Sequence, residues 1–159
     1  METILTTSLT ISFKINRLLE NRLQAINFDM SMDVELEDGA DPQDQINKLN
    51  LMKQWIDTIL DNSIAFNVHS KINTEMLGEL DNYIMFCPDE PHDHLLLLLI
   101  TAKLNAIGDG KVIIKSASIN SDVSHGFGSS LLGDGLELLI SAEDWMGKTR
   151  YFDQPWWNR

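Results

Sequence analysis

Residues 28–36 read Phe28-Asp29-Met30-Ser31-Met32-Asp33-Val34-Glu35-Leu36. Every second residue is apolar, and those between are acidic or small and polar. Successive side chains of a strand point to opposite faces, so this period of two buries one face and wets the other. With Glu37, the wet face carries four carboxylates: Asp29, Asp33, Glu35 and Glu37. Strands of a doubly wound parallel sheet are apolar on both faces, whereas an antiparallel sheet tolerates one wet side. The stretch therefore predicts an α+β fold: a mixed, mainly antiparallel sheet covered by helices on one face.

Upstream, Leu9, Ile11, Phe13 and Ile15 alternate with Thr10, Ser12 and Lys14, which predicts another strand. From Ile15 the spacing of Leu18, Leu19, Leu23 and Ile26 is helical, so a strand-to-helix handover is expected near residue 14. Downstream, Glu37 to Ala40 reads as a turn. Asp41-Pro42 is a helix start, with Asp as N-cap and Pro at the first helical position. That helix is expected to end near Asn62. Short strands follow around Ile64 to Val68 and Tyr83 to Cys87, with a short helix over 72–80 between them. Pro91 is expected to open an apolar helix that Gly108 ends, and Val112 to Ile119 is a strand. The glycine-rich stretch 121–135 reads as a long loop or irregular hairpin before a last strand over 136–140. The 159 residues are one domain's length, expected as a single unit with an aromatic-rich tail over 142–159.

Lys and Arg number 12 against 24 Asp and Glu, for a net charge of −12. Such a balance disfavours direct nucleic-acid binding and anionic membrane surfaces, both of which need clustered cations. Seven acids (Asp29, Asp33, Glu35, Glu37, Asp38, Asp41 and Asp44) crowd residues 29–44, with no Lys or Arg among them. Cys87 is the one cysteine, so no intrachain disulfide forms. The amino terminus has no basic, apolar signal-peptide pattern, and the longest apolar run, Leu95 to Ile100, is too short for a bilayer span. A cytoplasmic protein is expected.

Residues 87–94, Cys87-Pro-Asp89-Glu90-Pro-His92-Asp93-His94, gather potential metal ligands. In the first turn of a helix begun by Pro91, His92 and His94 would diverge by about 200°. His92, His94 and Asp89 are therefore weak metal candidates, and a capped helix start accounts for them. Cys87 lies among acids that disfavour a thiolate, which argues against a nucleophile. The glycines at 126, 128, 133 and 135 come without the Lys of a phosphate loop.

No catalytic residues and no cofactor emerge from these patterns. By subtraction, the sequence predicts a non-catalytic acidic interaction subunit or regulator that binds a basic protein partner. Its size and acidity resemble in type, not in residues, small accessory proteins of phages and mobile elements. The expected contact residues are Asp29, Asp33, Glu35, Glu37 and Asp38, with Arg150, Tyr151, Phe152, Trp156 and Trp157 of the tail, because Trp, Tyr and Arg dominate interface energetics. The alternatives are a metal-dependent hydrolase or nuclease using the His92/His94 cluster, and a nucleic-acid mimic inhibiting a DNA- or RNA-binding protein. The sequence does not set an oligomeric state.

Overall fold

The computed structural model describes residues 6–19, 22–67, 69, 82–87, 89–123 and 128–132. The expected helix over 72–80, the last strand over 136–140 and the tail over 142–159 lie outside them. The described elements are β1 (Thr6–Leu19), β2 (Arg22–Leu36), α1 (Pro42–Trp55), a π-helical turn (Ile56–Leu60), β3 (Ser63–Asn67), β4 (Ile84–Cys87), α2 (Asp93–Gly108), β5 (Val112–Ser121) and β6 (Ser129–Leu132). The strands form one mixed sheet in the order β4-β3-β1-β2-β5-β6. Pairs β1–β2, β2–β5 and β5–β6 are antiparallel, while β1–β3 and β3–β4 are parallel. The α+β expectation with a mixed sheet holds.

The alternation of residues 28–36 decides how β2 sits. Ile26, Phe28, Met30, Met32 and Val34 are buried, and the intervening side chains from Ala25 to Asp33 are exposed. Across the hairpin, Phe13 faces Phe28 and Ile15 faces Ile26, and the rings of Phe13 and Phe28 stack at 5.6 Å. On β5, Val112, Ile114, Ala117 and Ile119 join the same core. Met52 and Trp55 of α1 and Leu96, Leu99, Ile100 and Leu104 of α2 complete it. Each such side chain removed from water contributes about 1.5–3 kcal/mol.

The expected handover to a helix near residue 14 does not occur. β1 runs to Leu19 and β2 begins at Arg22 in unbroken register. Leu18, Leu19, Leu23 and Ile26 satisfy a helical spacing, but the same stretch keeps Ile15 and Ile26 opposite one another on the core face. Cross-strand pairing with a buried face outweighs a helical preference that has no second apolar surface to meet.

Asp41 caps α1 as expected, its carboxylate accepting from the Gln43 amide at 3.1 Å. Buried Gln45 then donates from Nε2 to the carbonyls of Glu37, at 2.8 Å, and Lys111, at 3.3 Å. It thereby pins α1 to the end of β2 and the approach to β5. Helix α2 starts two residues later than expected. His92 is its N-cap and Pro91 precedes the cap. It also runs through Gly108, and Asp109 in the left-handed region terminates it. Gly108 suits a close crossing, because a Cβ there would stand 3.0 Å from Met52 Cε.

Beneath the α2 start, Arg17 Nη1 donates to Asp93 Oδ1 at 2.5 Å and to the Pro91 carbonyl at 3.3 Å. Ser121 Oγ donates to Asp93 Oδ2 at 2.7 Å, and the guanidinium lies 5.7 Å from the Phe28 ring centroid. This network fastens the helix to β1, β2 and β5. Between the helices, fully buried Lys103 places Nζ 5.9 Å from the Trp55 ring centroid. Among the described residues, no helix is long and apolar enough to cross a membrane.

Candidate functional site

The sheet face turned away from this core is built of short polar side chains in transverse rows. Ser8, Asp33 and Ser116 form one row across β1, β2 and β5. Thr10, Ser31, Ser118 and Ser130 form the next, reaching β6. Ser12, Asp29 and Asn120 form a third. Long side chains usually shield such a face. Ser8, Asp33, Ser116, Thr10, Ser31, Ser118 and Ser130 are all short, and an open trough of about 260 Å³ lies along them.

Among the described residues, Asp33 is the one carboxylate lining this trough. Its Oδ1 accepts from Ser8 Oγ at 3.1 Å and its Oδ2 from Ser116 Oγ at 2.9 Å. The two strands that flank β2 thus hold the carboxylate from both sides. A carboxylate has about four acceptor positions, so two remain for a ligand. Ser116 reaches Asp33 beside a β-bulge. Asp33 pairs with Ser116 but Val34 pairs with Ile114, which leaves Lys115 as the extra residue. Bulges turn side chains out of a regular ladder and recur beside functional sites. Lys115 Nζ lies 3.7 Å from Glu35 Oε2, next to the row that holds Asp33.

Only part of the expected acidic surface gathers here. Asp29 lies on the same face in the third row, accepting from Ser12 Oγ at 2.5 Å. Glu35 pairs with Lys115. Glu37 follows the end of β2, where its amide donates to the Lys111 carbonyl at 3.0 Å. Asp38 is exposed in the following turn. Arg150, Tyr151, Phe152, Trp156 and Trp157 lie outside the described residues.

At the start of α2, exposed His92 and His94 stack, with ring centroids 5.7 Å apart and planes 10° from parallel. This corrects the expected divergence. His92 has extended backbone as the cap, so the pair straddles the helix start instead of lying within its first turn. Asp89 turns to its own loop, its Oδ1 accepting from the Glu90 amide. Among the described residues, no group of three or more His, Cys, Asp or Glu side chains is placed to hold a metal ion. Cys87 is buried, with Sγ 3.7 Å from the Met85 carbonyl.

Sequence reading singled out the acids of β2 and missed the hydroxyls. Ser8, Thr10 and Ser12 on β1 and Ser116 and Ser118 on β5 carry the same period of two. The convergence of Ser8 and Ser116 on Asp33 appears only once register and bulge are known.

No protein-family model and no curated protein matches the chain. Solved structures do share its fold. An uncharacterized protein from Wolinella succinogenes superposes with a TM-score of 0.53 at 12% identity, covering 82% of this chain and 99% of that one. A 6-pyruvoyl tetrahydropterin synthase from Plasmodium vivax superposes with a TM-score of 0.50 at 12% identity, covering 82% of this chain and 98% of that one. Likeness at such identity speaks to the fold.

It nevertheless overturns the expectation of a non-catalytic interaction subunit or regulator. That expectation rested on subtracting sequence motifs, and the chain instead has a fold on which an enzyme is built. The metal-dependent hydrolase and nucleic-acid-mimic alternatives gain no support from these structures.

Proposed function

We propose that the protein is an enzyme that binds a small, donor-rich heterocycle of the pterin kind in the trough on its open sheet face, with Asp33 receiving the ring. The observation that carries this reading is the Ser8–Asp33–Ser116 row, a carboxylate oriented from both flanking strands with acceptor capacity left over. The fold shared with a 6-pyruvoyl tetrahydropterin synthase supports the choice of ligand class. We read α1, the π-helical turn and α2 as the layer covering the opposite, apolar face, leaving this one open for ligand.

A pterin carries an amino group beside a ring N–H. Two adjacent N–H donors match the paired oxygens of a carboxylate, and hydrogen bonds to an ionised acceptor are about twice as strong as neutral ones. The ring's carbonyl and nitrogens can accept from the hydroxyls of Thr10, Ser31 and Ser118. Asp33 and Asp29 make the face negative, which favours a neutral or cationic edge over a phosphate. Ser8 and Ser116 also place hydroxyl protons against a carboxylate within reach of a bound molecule, the proximity that general acid–base chemistry requires.

Thermal unfolding with added pterin tests the reading. A ligand at 100 times its Kd stabilises by about 2.7 kcal/mol. For a chain of this length that raises Tm by roughly 5–11 °C. The rise should vanish in Asp33→Ala. An unchanged Tm at millimolar pterin would refute the assignment.

A further inference from the structure

The core side of β5 leaves one choice open. Val112 and Ile114 are buried at even positions, and Ala117 and Ile119 are buried at odd ones. The strand must therefore take one extra residue between Ile114 and Ala117. The core face stays in phase whether Lys115 or Ser116 is that residue. The chemistry on the open face differs. Ser116 opposite Asp33 donates one hydroxyl and leaves acceptor positions on the carboxylate. Lys115 in that place would set an ammonium against the carboxylate and close them.

Helix α2 holds the strand one residue before the bulge. Asn105 Oδ1 accepts from the Ile114 amide at 2.8 Å. The Glu37 amide donates to the Lys111 carbonyl, so Lys111 and, two residues on, Ile113 direct their backbone polar groups toward β2. Ile114 directs its own to the opposite side. There β6 pairs with β5 only from Ser116 to Ile119. The Asn105 side chain thus stands where a strand partner would, at an amide that no strand among the described residues reaches. Asn105 is itself firmly placed. Its carbonyl accepts from the amide of Asp109, the left-handed residue that ends α2, at 3.3 Å. Across the turn into β5, the Lys111 amide donates to the Gly108 carbonyl at 3.0 Å.

We propose that Asn105 is a positioning residue for the trough: by fixing Ile114 it makes Lys115 the residue set out of the ladder and delivers Ser116 to Asp33. Ile114 is held from two sides, by Val34 in the ladder and by α2 at its outer edge. The strand's departure from the ladder accordingly falls on the next residue. Lys115 turns to Glu35, and Ser116 takes the place opposite Asp33. Without the Asn105 oxygen, the Ile114 amide loses its acceptor. Rotating that amide to water brings Lys115 into the ladder beside Asp33. The consequence for ligand binding rests on the reading of the trough given above, whereas the consequence for register does not.

Two variants of the full-length chain test this. Asn105→Leu keeps a good helix former but removes the oxygen, and Asn105→Asp keeps the oxygen. Nuclear magnetic resonance without ligand reads the register. The cross-strand Overhauser contact between the β-protons of Asp33 and Ser116 should be present in the native chain and in Asn105→Asp, and lost in Asn105→Leu. Hydrogen exchange of the native chain adds a measure free of substitution: the Ile114 amide should be protected. Calorimetric titration with pterin reads the consequence. Affinity should fall roughly 10-fold in Asn105→Leu, the loss of a hydrogen bond to a charged acceptor. It should stay native in Asn105→Asp and recover in part in Asn105→Leu/Lys115→Ala, where no ammonium competes for Asp33. An Asp33–Ser116 contact that survives in Asn105→Leu, its loss in Asn105→Asp, or an unprotected Ile114 amide would each overturn the proposal. So would native affinity in Asn105→Leu, or no recovery with Lys115→Ala. A native chain that binds no pterin would refute the ligand reading instead, and the Overhauser contact would still decide this one.

Discussion

Asp33 on β2 and Ser116 on β5 meet at 2.9 Å, one residue from a bulge that sets Lys115 out of the ladder. The contact joins two strands far apart in sequence and fixes a carboxylate among the hydroxyls of the trough. It shows why this face differs from an ordinary solvated surface. A freely rotating Asp would present no defined acceptor, whereas one held by Ser8 and Ser116 presents a fixed one. Preorganised acceptors bind at lower entropic cost.

The bulge permits a direct experiment on β5. Deleting Lys115 leaves Val112, Ile114, Ala117 and Ile119 in strict alternation, so the core face stays in phase. The deletion should fold, with a Tm within a few degrees of the native value. It loses only an exposed ion pair worth about 0–1 kcal/mol. Thermal denaturation followed by circular dichroism checks this. A loss of cooperative unfolding would show that the extra residue is needed for the sheet's twist.

Arg17 and Asp93 should behave as a partly buried pair. Arg17→Met strands the Asp93 carboxylate beneath the α2 start. Breaking one side of such a pair costs about 3–5 kcal/mol, or a Tm lower by roughly 6–20 °C at this chain length. The double variant Arg17→Met/Asp93→Asn should recover part of the loss, because no isolated charge remains. Urea denaturation of the single and double variants measures the coupling. Equal losses in both would contradict a charge-pair role.

The account also bears on pH. The Lys111 ammonium, hydrogen-bonded to the Asp44 carboxylate, holds Asp44 below its ordinary value of 3.8 and is itself raised above 10.5. A lowered carboxylate pKa contributes stability that is present above 3.8 and lost as pH falls through the folded value. A raised lysine pKa contributes stability present below 10.5 and lost as pH rises through the folded value. Asp44→Asn should therefore cost a little stability across the neutral region, where both charges are present, and nothing at either extreme, where the pair is already lost. Both side chains are partly exposed, so the effect is small and weakens in salt. A large loss at neutral pH would contradict this assignment.

Several elements were legible because local chemistry determined them. Residues 28–36 alternate strictly, and burial follows that alternation. Asp41-Pro42 carries its own stop and start signals, and α1 begins there. Residues 15–26 were misread because Leu18, Leu19, Leu23 and Ile26 fit a helix as well as a strand. The hairpin partner that decides between them is invisible to a local reading. His92 and His94 were misplaced by a shift of two residues in the start of α2, enough to turn divergent rings into stacked ones. The trough was illegible for a deeper reason. Its rows are cross-strand relations between residues far apart in sequence, 83 positions in the case of Ser116 and Asp33. A one-residue bulge decides which hydroxyl reaches the carboxylate.

Titration of pterin into the native protein and into Asp33→Asn, followed by calorimetry, tests the central claim most directly. Asn keeps the size of Asp but removes the charge, replacing one acceptor oxygen by a donor that opposes the ring's N–H groups. The account predicts saturable one-to-one binding to the native chain and an affinity lower by about 10–100-fold in the variant, the loss of a hydrogen bond to a charged acceptor. The variant's Tm without ligand should stay close to the native value. Equal affinity in the two proteins, or no binding to the native one, would contradict the account.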